Sequence, residues 1–406
     1  MIMQNYDSIK QLLQQKGQEH LLNGFASLDK AEQAELLKEI SQLDWSVLED
    51  KSIDRSGEVE PLTGLSCKDI KARYREFEEA GAALLKDGKV GAVMLAGGMG
   101  TRLGSSAPKG TYNLGITKPL YIFECLIKNL LEVTTKYGAR VPLLIMTSDK
   151  NDAETRAFFK EHAYFGYPQE DVFFFVQDMA PCTDVNGKIL LETKGKLALS
   201  PNGNGGWYSS MQRAGLSEHM LSQGVEWLNV FSVDNVLQRI ADPVFVGATC
   251  LSKADCGAKT VKKASPEERV GVLCKRGGRP DIIEYYELNE ELANARDKDG
   301  ELLYRNGVIL NYLFRISALE EVAKYRIPVH RVKKKVAYFD GEACISPKTE
   351  NAYKRETLIL DLINLLNGCL SFEVEREHEF APVKNATGVD SVETARELLK
   401  YNGVKL

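Results

Sequence analysis

The chain has 406 residues, 44% apolar and 27% charged, with a formal net charge of −5; at roughly 150 residues per domain it holds two or three structural units. That charge gives no global pull toward nucleic acid or an anionic membrane, so an anionic substrate has to meet local positive charge. The eight cysteines form no C-x-x-C pair, which argues against a zinc site or a disulfide framework; the N-terminus lacks a signal-peptide layout and no apolar run nears the roughly 20 residues that span a bilayer, so a cytoplasmic address is expected.

Residues 1–58 read as helices, with Ile9, Leu12 and Leu13, then Leu36, Leu37 and Ile40, recurring at helical spacing. They carry no catalytic pattern and are expected to form a packing or lid-like segment. Residues 59–66 read as a linker. Ser66 and Asp69 resemble a capping box, opening a helix with Ile70, Tyr74, Phe77, Leu84 and Leu85 on one face. VGAVMLAGG at 90–98 is a short, β-branched apolar run ending in glycine, which predicts a buried strand. After a glycine-rich loop, Pro119 opens a helix striped with Leu120, Phe123, Ile127, Leu130 and Leu131. Further buried strands are predicted at 141–147, 172–177 and 225–235, with a polar helix at 150–162. Strands alternating with helices predict an α/β fold built on a Rossmann-like, mixed, mostly parallel sheet. Ligands of such sheets bind outside the carboxyl ends of the strands, and those ends here read GG, SD, Q and DN. From about 255 to 340 the pieces become shorter and more β-like, which predicts a smaller β-rich lobe beside the main sheet. Residues 358–366 predict a final buried helix. The expected segmentation is 1–64, an N-terminal helical segment; 65–345, a catalytic domain; and 346–406, a C-terminal segment that completes the site.

The chemistry concentrates in LAGGMGTRLGSSAPKG at 95–110. Glycines at 97, 98, 100 and 104 permit a tight turn and close backbone approach, and backbone N–H groups in such a turn make a concave anion site. Arg102 and Lys109 add two positive charges, so the loop suits a polyphosphate. A P-loop requires G-x-x-x-x-G-K-[ST], which this chain lacks. The dinucleotide fingerprint requires an acid about 20 residues on, at the end of the next strand. Here that strand ends near residue 147.

The full loop resembles the signature of the UDP-N-acetylglucosamine pyrophosphorylase family. The resemblance continues through MTSD at 146–149, ALSPNGNGGWY at 198–208, FSVDNVLQRIADPVFVG at 231–247, ADCGAK at 254–259, IIEYYEL at 282–288 and PVKNATG at 382–388. It implies a sheet of the nucleotide-diphospho-sugar transferase type, with the 255–340 lobe on the sugar side. It also implies UTP and a sugar 1-phosphate as substrates and Mg²⁺ as cofactor. The chemistry is in-line attack of the sugar phosphate on the α-phosphorus of UTP, in which positioning and charge carry the catalysis. Arg102, Lys109 and Lys384 are the implied catalytic cations. Asp234 ends a strand and either holds the metal or caps a helix at Val236; the resemblance implies the metal. Gly97, Gly98, Gln177 and Gly203 are the implied nucleotide contacts. Asn204, Gly271, Glu284 and Asn311 are the implied sugar contacts. On residues alone, Asn202-Gly203 could equally be a hairpin turn, Glu284 a cross-strand partner of a lysine, and Lys384 a solvated surface charge.

Several positions depart from the family pattern. Asn202 stands where the family has Asp, Val308 where it has Asn, and Leu358 and Leu360 where it has two phenylalanines that shape the N-acetyl pocket. The sugar could therefore be N-acetylglucosamine or another hexose, such as glucose or galactose. A rival of another class is a nucleotide-binding protein without catalysis, and the intact Arg102, Lys109, Asp234 and Lys384 argue against it.

Overall fold

The computed structural model describes residues 2–49, 57–325 and 327–406. Its main sheet has ten strands: β1 (Val59–Pro61), β2 (Val90–Leu95), β3 (Leu143–Thr147), β4 (Val172–Val176), β5 (Trp227–Ser232), β6 (Cys256–Lys262), β7 (Val272–Arg276), β8 (Arg279–Ile283), β9 (Asn306–Arg315) and β10 (Cys369–Glu373). The order is β1-β7-β9-β5-β2-β3-β4, with β8 on β7, β6 on β9 and β10 on β6.

β2, β3, β4 and β5 pair in parallel. Every residue of β2 and β3 is buried, as continuous apolar runs covered on both faces require. β2, β3 and β4 step outward in chain order, whereas β5 returns to the other side of β2. That reversal is a topological switch point, where a crevice opens beyond the strand ends. The helix Ile122–Tyr137 joins β2 to β3. It buries Ile122, Phe123, Leu126, Ile127 and Leu130 and ends on Gly138 in the left-handed conformation.

Of the strand-rich stretch expected beside the main sheet, the strands between 256 and 315 are continuous with it, whereas His330–Lys334 and Tyr338–Phe339 pair in two small two-stranded sheets. β9 pairs antiparallel with β5, from Asn311 opposite Phe231 to Arg315 opposite Trp227, and β6, β7 and β8 follow from it. The sheet is thus a parallel half and an antiparallel wing, with β6 and β10 parallel at the far side. The expected linker at 59–66 contains β1, paired with Cys274–Arg276 of β7. A partner that distant in sequence leaves no local pattern. Ser66 and Asp69 do form a capping box. The helix they open breaks at Arg73, giving Cys67–Ala72 and Tyr74–Lys86.

The chain divides into two compact units. The first comprises Met1–Asp54, Asp178–Gly206 and Ile327–Ile359, and the second comprises Arg55–Gln177, Trp207–Arg326 and Leu360–Leu406, which holds the ten-stranded sheet. These units do not follow the linear segmentation, because the N-terminal helices pack on residues far along the chain. Ile9, Leu13, Leu36, Leu37 and Ile40 share a core with Ile189 and Leu197. Asp29 closes a capping box at the start of Lys30–Gln42. Residues 50–56 of the expected helical stretch lie outside the described residues. Among the described residues no helix is long and apolar enough to cross a membrane.

Candidate active site

β2 ends at Leu95, so the chain leaves the sheet at the switch point. The loop folds back on itself: the Lys109 N–H donates to Gly98 O at 3.1 Å and the Gly100 N–H to Ala107 O at 2.9 Å. Short 3₁₀ turns at Thr101–Leu103 and Lys109–Thr111 complete it. The N–H groups of Gly97, Gly98, Met99, Thr101 and Arg102 have no protein acceptor among the described residues. A run of open amides is a concave site for anions.

Gly97 must be glycine for a spatial reason. A Cβ there would lie 2.7 Å from Nε2 of Gln177, whose own N–H pairs with Thr147 O just past β4. Gln177 is buried, so it has little room to yield. Gly97→Ala should therefore displace Gln177 or the loop. Overpacking of this kind costs about 1–3 kcal/mol, which predicts a loss of about 10–100-fold in kcat/KM for a uridine nucleotide. Unchanged kcat/KM would show that this contact is not used.

The charged residues gather beside the loop. Lys109 Nζ lies 3.6 Å from Asp234 Oδ2, with the side chains 13% and 20% exposed. Burial holds the Lys109 ammonium below the ordinary lysine range; Asp234 opposes this, and the positive charges of Arg102 and Lys384 push it further down. Three cations thus act on one another here, and an incoming polyphosphate would relieve their mutual repulsion. Asp234 Oδ1 accepts from the Ser232 hydroxyl at 2.6 Å. No helix begins at Val236: the next helix is Pro243–Ser252, capped by Asp242. The capping alternative for Asp234 is therefore set aside.

Lys384 reaches this corner through backbone pairing. The Val383 N–H donates to Asp234 O at 2.9 Å, and Asn235 bridges to Pro382. The Asn235 amide donates to Glu379 O and accepts from the Ala381 N–H, both at 2.8 Å. Glu379 is anchored in turn by the fully buried Lys259, at 2.6 Å, which also pairs with Asp242 at 3.1 Å. Lys384 Nζ sits 3.0 Å from Asp390 Oδ2, so it is half-exposed and paired rather than a free surface charge.

Asp234 is the carboxylate beside Lys109, and among the described residues no group of three or more His, Cys, Asp or Glu could hold a metal. Mg²⁺ bound with substrate phosphates needs only one or two carboxylates, because phosphates and water complete its shell. Asp234 fits that requirement.

Gly271 and Glu284 also come together. The Gly271 carbonyl accepts from the Val308 N–H at 2.9 Å, and a Cβ on Gly271 would lie 3.7 Å from Glu284 Oε2. Asn311 lies on the same strand as Val308, with its amide engaged by protein groups. It is fully buried, its Oδ1 accepts from Asn229 Nδ2 at 2.7 Å, and its Nδ2 faces Gln238 Oε1 and the Arg239 carbonyl at 3.3 Å. The strand is bulged beside Asn311. The register of β9 against β6 shifts between Ala258 and Thr260, with Leu310 at φ +52°, and a bulge re-aims the side chains around it.

Gly203 and Asn204 lie in the first unit. The Asn202-Gly203 turn is not a hairpin: the Thr357 N–H donates to Asn202 O and the Gly205 N–H to Thr357 O, both at 2.8 Å. Gly203 has φ +77°, and a Cβ there would meet Thr357 O at 2.3 Å. Asn204 Oδ1 accepts from the Ile359 N–H at 3.0 Å. Two residues to which the sequence reading gave no role touch the loop itself. Ser148 and Asn151 follow β3 and bond to the carbonyls of 96–98; the polar end of that strand was their only signal.

A family model described as UTP–glucose-1-phosphate uridylyltransferase matches residues 36–399, a span that includes the loop, Asp234 and Lys384. The chain belongs to this family. Within it, the chain is similar to the human UDP-N-acetylhexosamine pyrophosphorylase-like protein 1, at 36% identity over 427 residues, covering 98% of this chain and 84% of that one. It is also similar to the UDP-N-acetylglucosamine pyrophosphorylase of Saccharomyces cerevisiae, at 34% identity over 421 residues, covering 95% and 88% of the two chains. Among solved structures, the uridine diphosphate N-acetylglucosamine pyrophosphorylase of Trypanosoma brucei in complex with an inhibitor superposes with a TM-score of 0.83. The identity is 29%, and the match covers 97% of this chain and 84% of that one.

Proposed function

We propose that this chain is a uridylyltransferase that joins UTP to N-acetylglucosamine 1-phosphate, forming UDP-N-acetylglucosamine and releasing pyrophosphate. The observation that carries this reading is the set of open amides at 97–99, 101 and 102 beside Lys109, Arg102 and Lys384. A phosphate oxygen of the sugar attacks the α-phosphorus of UTP, one P–O bond forms, and the bond to the leaving pyrophosphate breaks. No protein nucleophile is needed, so the residues act by holding and neutralising the phosphates.

In this reading the amides of Gly97 and Gly98, with Arg102 and Lys109, hold the phosphates that leave. Arg offers a planar fork and Lys a point charge. Lys384 meets the phosphates from the side of the 382–388 segment. Asp234 would hold Mg²⁺, which would supply positive charge to the phosphates. Gln177 reads the uracil edge, and Gly271 and Glu284 take sugar hydroxyls. An ionised carboxylate only accepts, which suits two neighbouring hydroxyl donors. Arg102→Ala is expected to lower kcat by about 10²-fold, the low end for losing one such donor because Arg102 is exposed. Near-normal turnover at saturating UTP would remove Arg102 from the mechanism.

A second reading, with a plain hexose 1-phosphate, is favoured by Val308. It adjoins Gly271, with its Cγ2 3.5 Å from a Cβ built there, and offers no hydrogen bond. Pyrophosphate release with UTP and N-acetylglucosamine, glucose or galactose 1-phosphate separates the two. The highest kcat/KM is expected with N-acetylglucosamine 1-phosphate. A higher value with glucose or galactose 1-phosphate would reassign the sugar. UTP binding without pyrophosphate release from any of them would leave a nucleotide-binding protein.

A further inference from the structure

We propose that Asn151, assisted by Ser148, is a positioning residue that holds the loop's amides toward the triphosphate; this rests on the uridylyltransferase reading above. Asn151 is fully buried and occupies the N-cap position of the helix Asp152–Glu161. Asparagine is among the best residues there because its side chain accepts from the first helical amides. Asn151 makes no such bond. Its Nδ2 donates instead to Ala96 O at 2.9 Å and Gly98 O at 3.3 Å, while its Oδ1 accepts from the Ser148 N–H at 2.8 Å. Ser148 Oγ donates to the intervening carbonyl, Gly97 O, at 2.8 Å.

Three consecutive carbonyls are thus held on one side by two side chains of the turn after β3. The peptide unit is planar and trans, so a carbonyl and the N–H of the next residue point in opposite directions. Fixing the carbonyls of 96, 97 and 98 therefore aims the N–H groups of 97, 98 and 99 the other way. Those are three of the amides that have no protein acceptor among the described residues. Glycines at 97 and 98 make the segment easy to rotate, so an external clamp is what keeps the amides convergent. Asn151 forgoes its helix cap to supply it.

The test is equilibrium binding of UTP, pyrophosphate and uridine to the full chain, with Asn151→Ala, Asn151→Asp and Ser148→Ala. Asn151→Ala is expected to weaken UTP and pyrophosphate about 10–100-fold, the worth of one or two hydrogen bonds. Uridine, which lacks phosphates, should stay within about 2-fold of the unaltered protein. Asn151→Asp should be worse than Asn151→Ala, because a carboxylate cannot donate to carbonyls. Ser148→Ala removes one bond and should give a smaller, equally UTP-selective loss of about 3–10-fold, which decides the matter if the Asn151 variants do not fold. Equal loss for UTP and uridine, or unchanged UTP affinity, would overturn the positioning role while leaving the uridylyltransferase reading intact. An unaltered protein that binds UTP no better than uridine would overturn both.

Discussion

Lys109→Met is expected to lower kcat for pyrophosphate release by about 10³-fold, the upper end for losing one donor to a developing charge, while the fold persists. Methionine keeps the length and most of the volume of the side chain, so the change removes the charge and little packing. The ammonium is 13% exposed and has Asp234 Oδ2 at 3.6 Å. Burial and two neighbouring cations already weigh against its proton. A lysine kept there in spite of those costs adds little to the stability of the unliganded protein, so thermal unfolding should shift by no more than a few degrees. Its charge matters once phosphate arrives, when repulsion from Arg102 and Lys384 is replaced by attraction to an anion. The effect should fall mainly on kcat, because a charge on the leaving pyrophosphate grows as its bond breaks. Steady-state rates at saturating substrates check this. A loss confined to KM would show that Lys109 binds the ground state only.

Asp234→Asn is expected to reduce kcat/KM by roughly 10³-fold, from the several kcal/mol that a bound metal supplies, and to move half-maximal Mg²⁺ to at least about 10-fold higher concentration. The amide retains the shape and can still meet the Ser232 hydroxyl that now donates at 2.6 Å, so the backbone link from Asp234 O to Val383 should survive. What is lost is the carboxylate that pairs with Lys109. Titration of activity with Mg²⁺, after treatment with a chelator, separates this from general damage. An unchanged Mg²⁺ dependence would move the metal to other ligands.

How much was readable in advance follows from the range of the interactions. The loop at 95–110 was legible because its glycines, Arg102 and Lys109 sit within one short stretch, and the apolar run before it marks a buried strand. Gln177 and Asp234 were legible as polar residues closing apolar runs. Lys384 was visible only through family resemblance, since the pairing of Pro382 and Val383 with Asn235 and Asp234 joins segments far apart in sequence. The antiparallel wing was legible only as a run of short strands, for the same reason: the register of β9 on β5 is a long-range choice that alternation within 306–315 does not reveal. The partners of Asn311 were hidden at the bulge, where one left-handed residue, Leu310, bends the strand. Asn151 was hidden because an asparagine before a helix reads as an ordinary cap.

The central claim is tested most directly by a crystal structure with a non-hydrolysable UTP analogue and Mg²⁺. The account predicts β- and γ-phosphate oxygens within hydrogen-bond distance of the amides between Gly97 and Arg102, with Lys109 turned from Asp234 toward them. Phosphates bound elsewhere, with those amides turned inward or covered by neighbouring side chains, would contradict it.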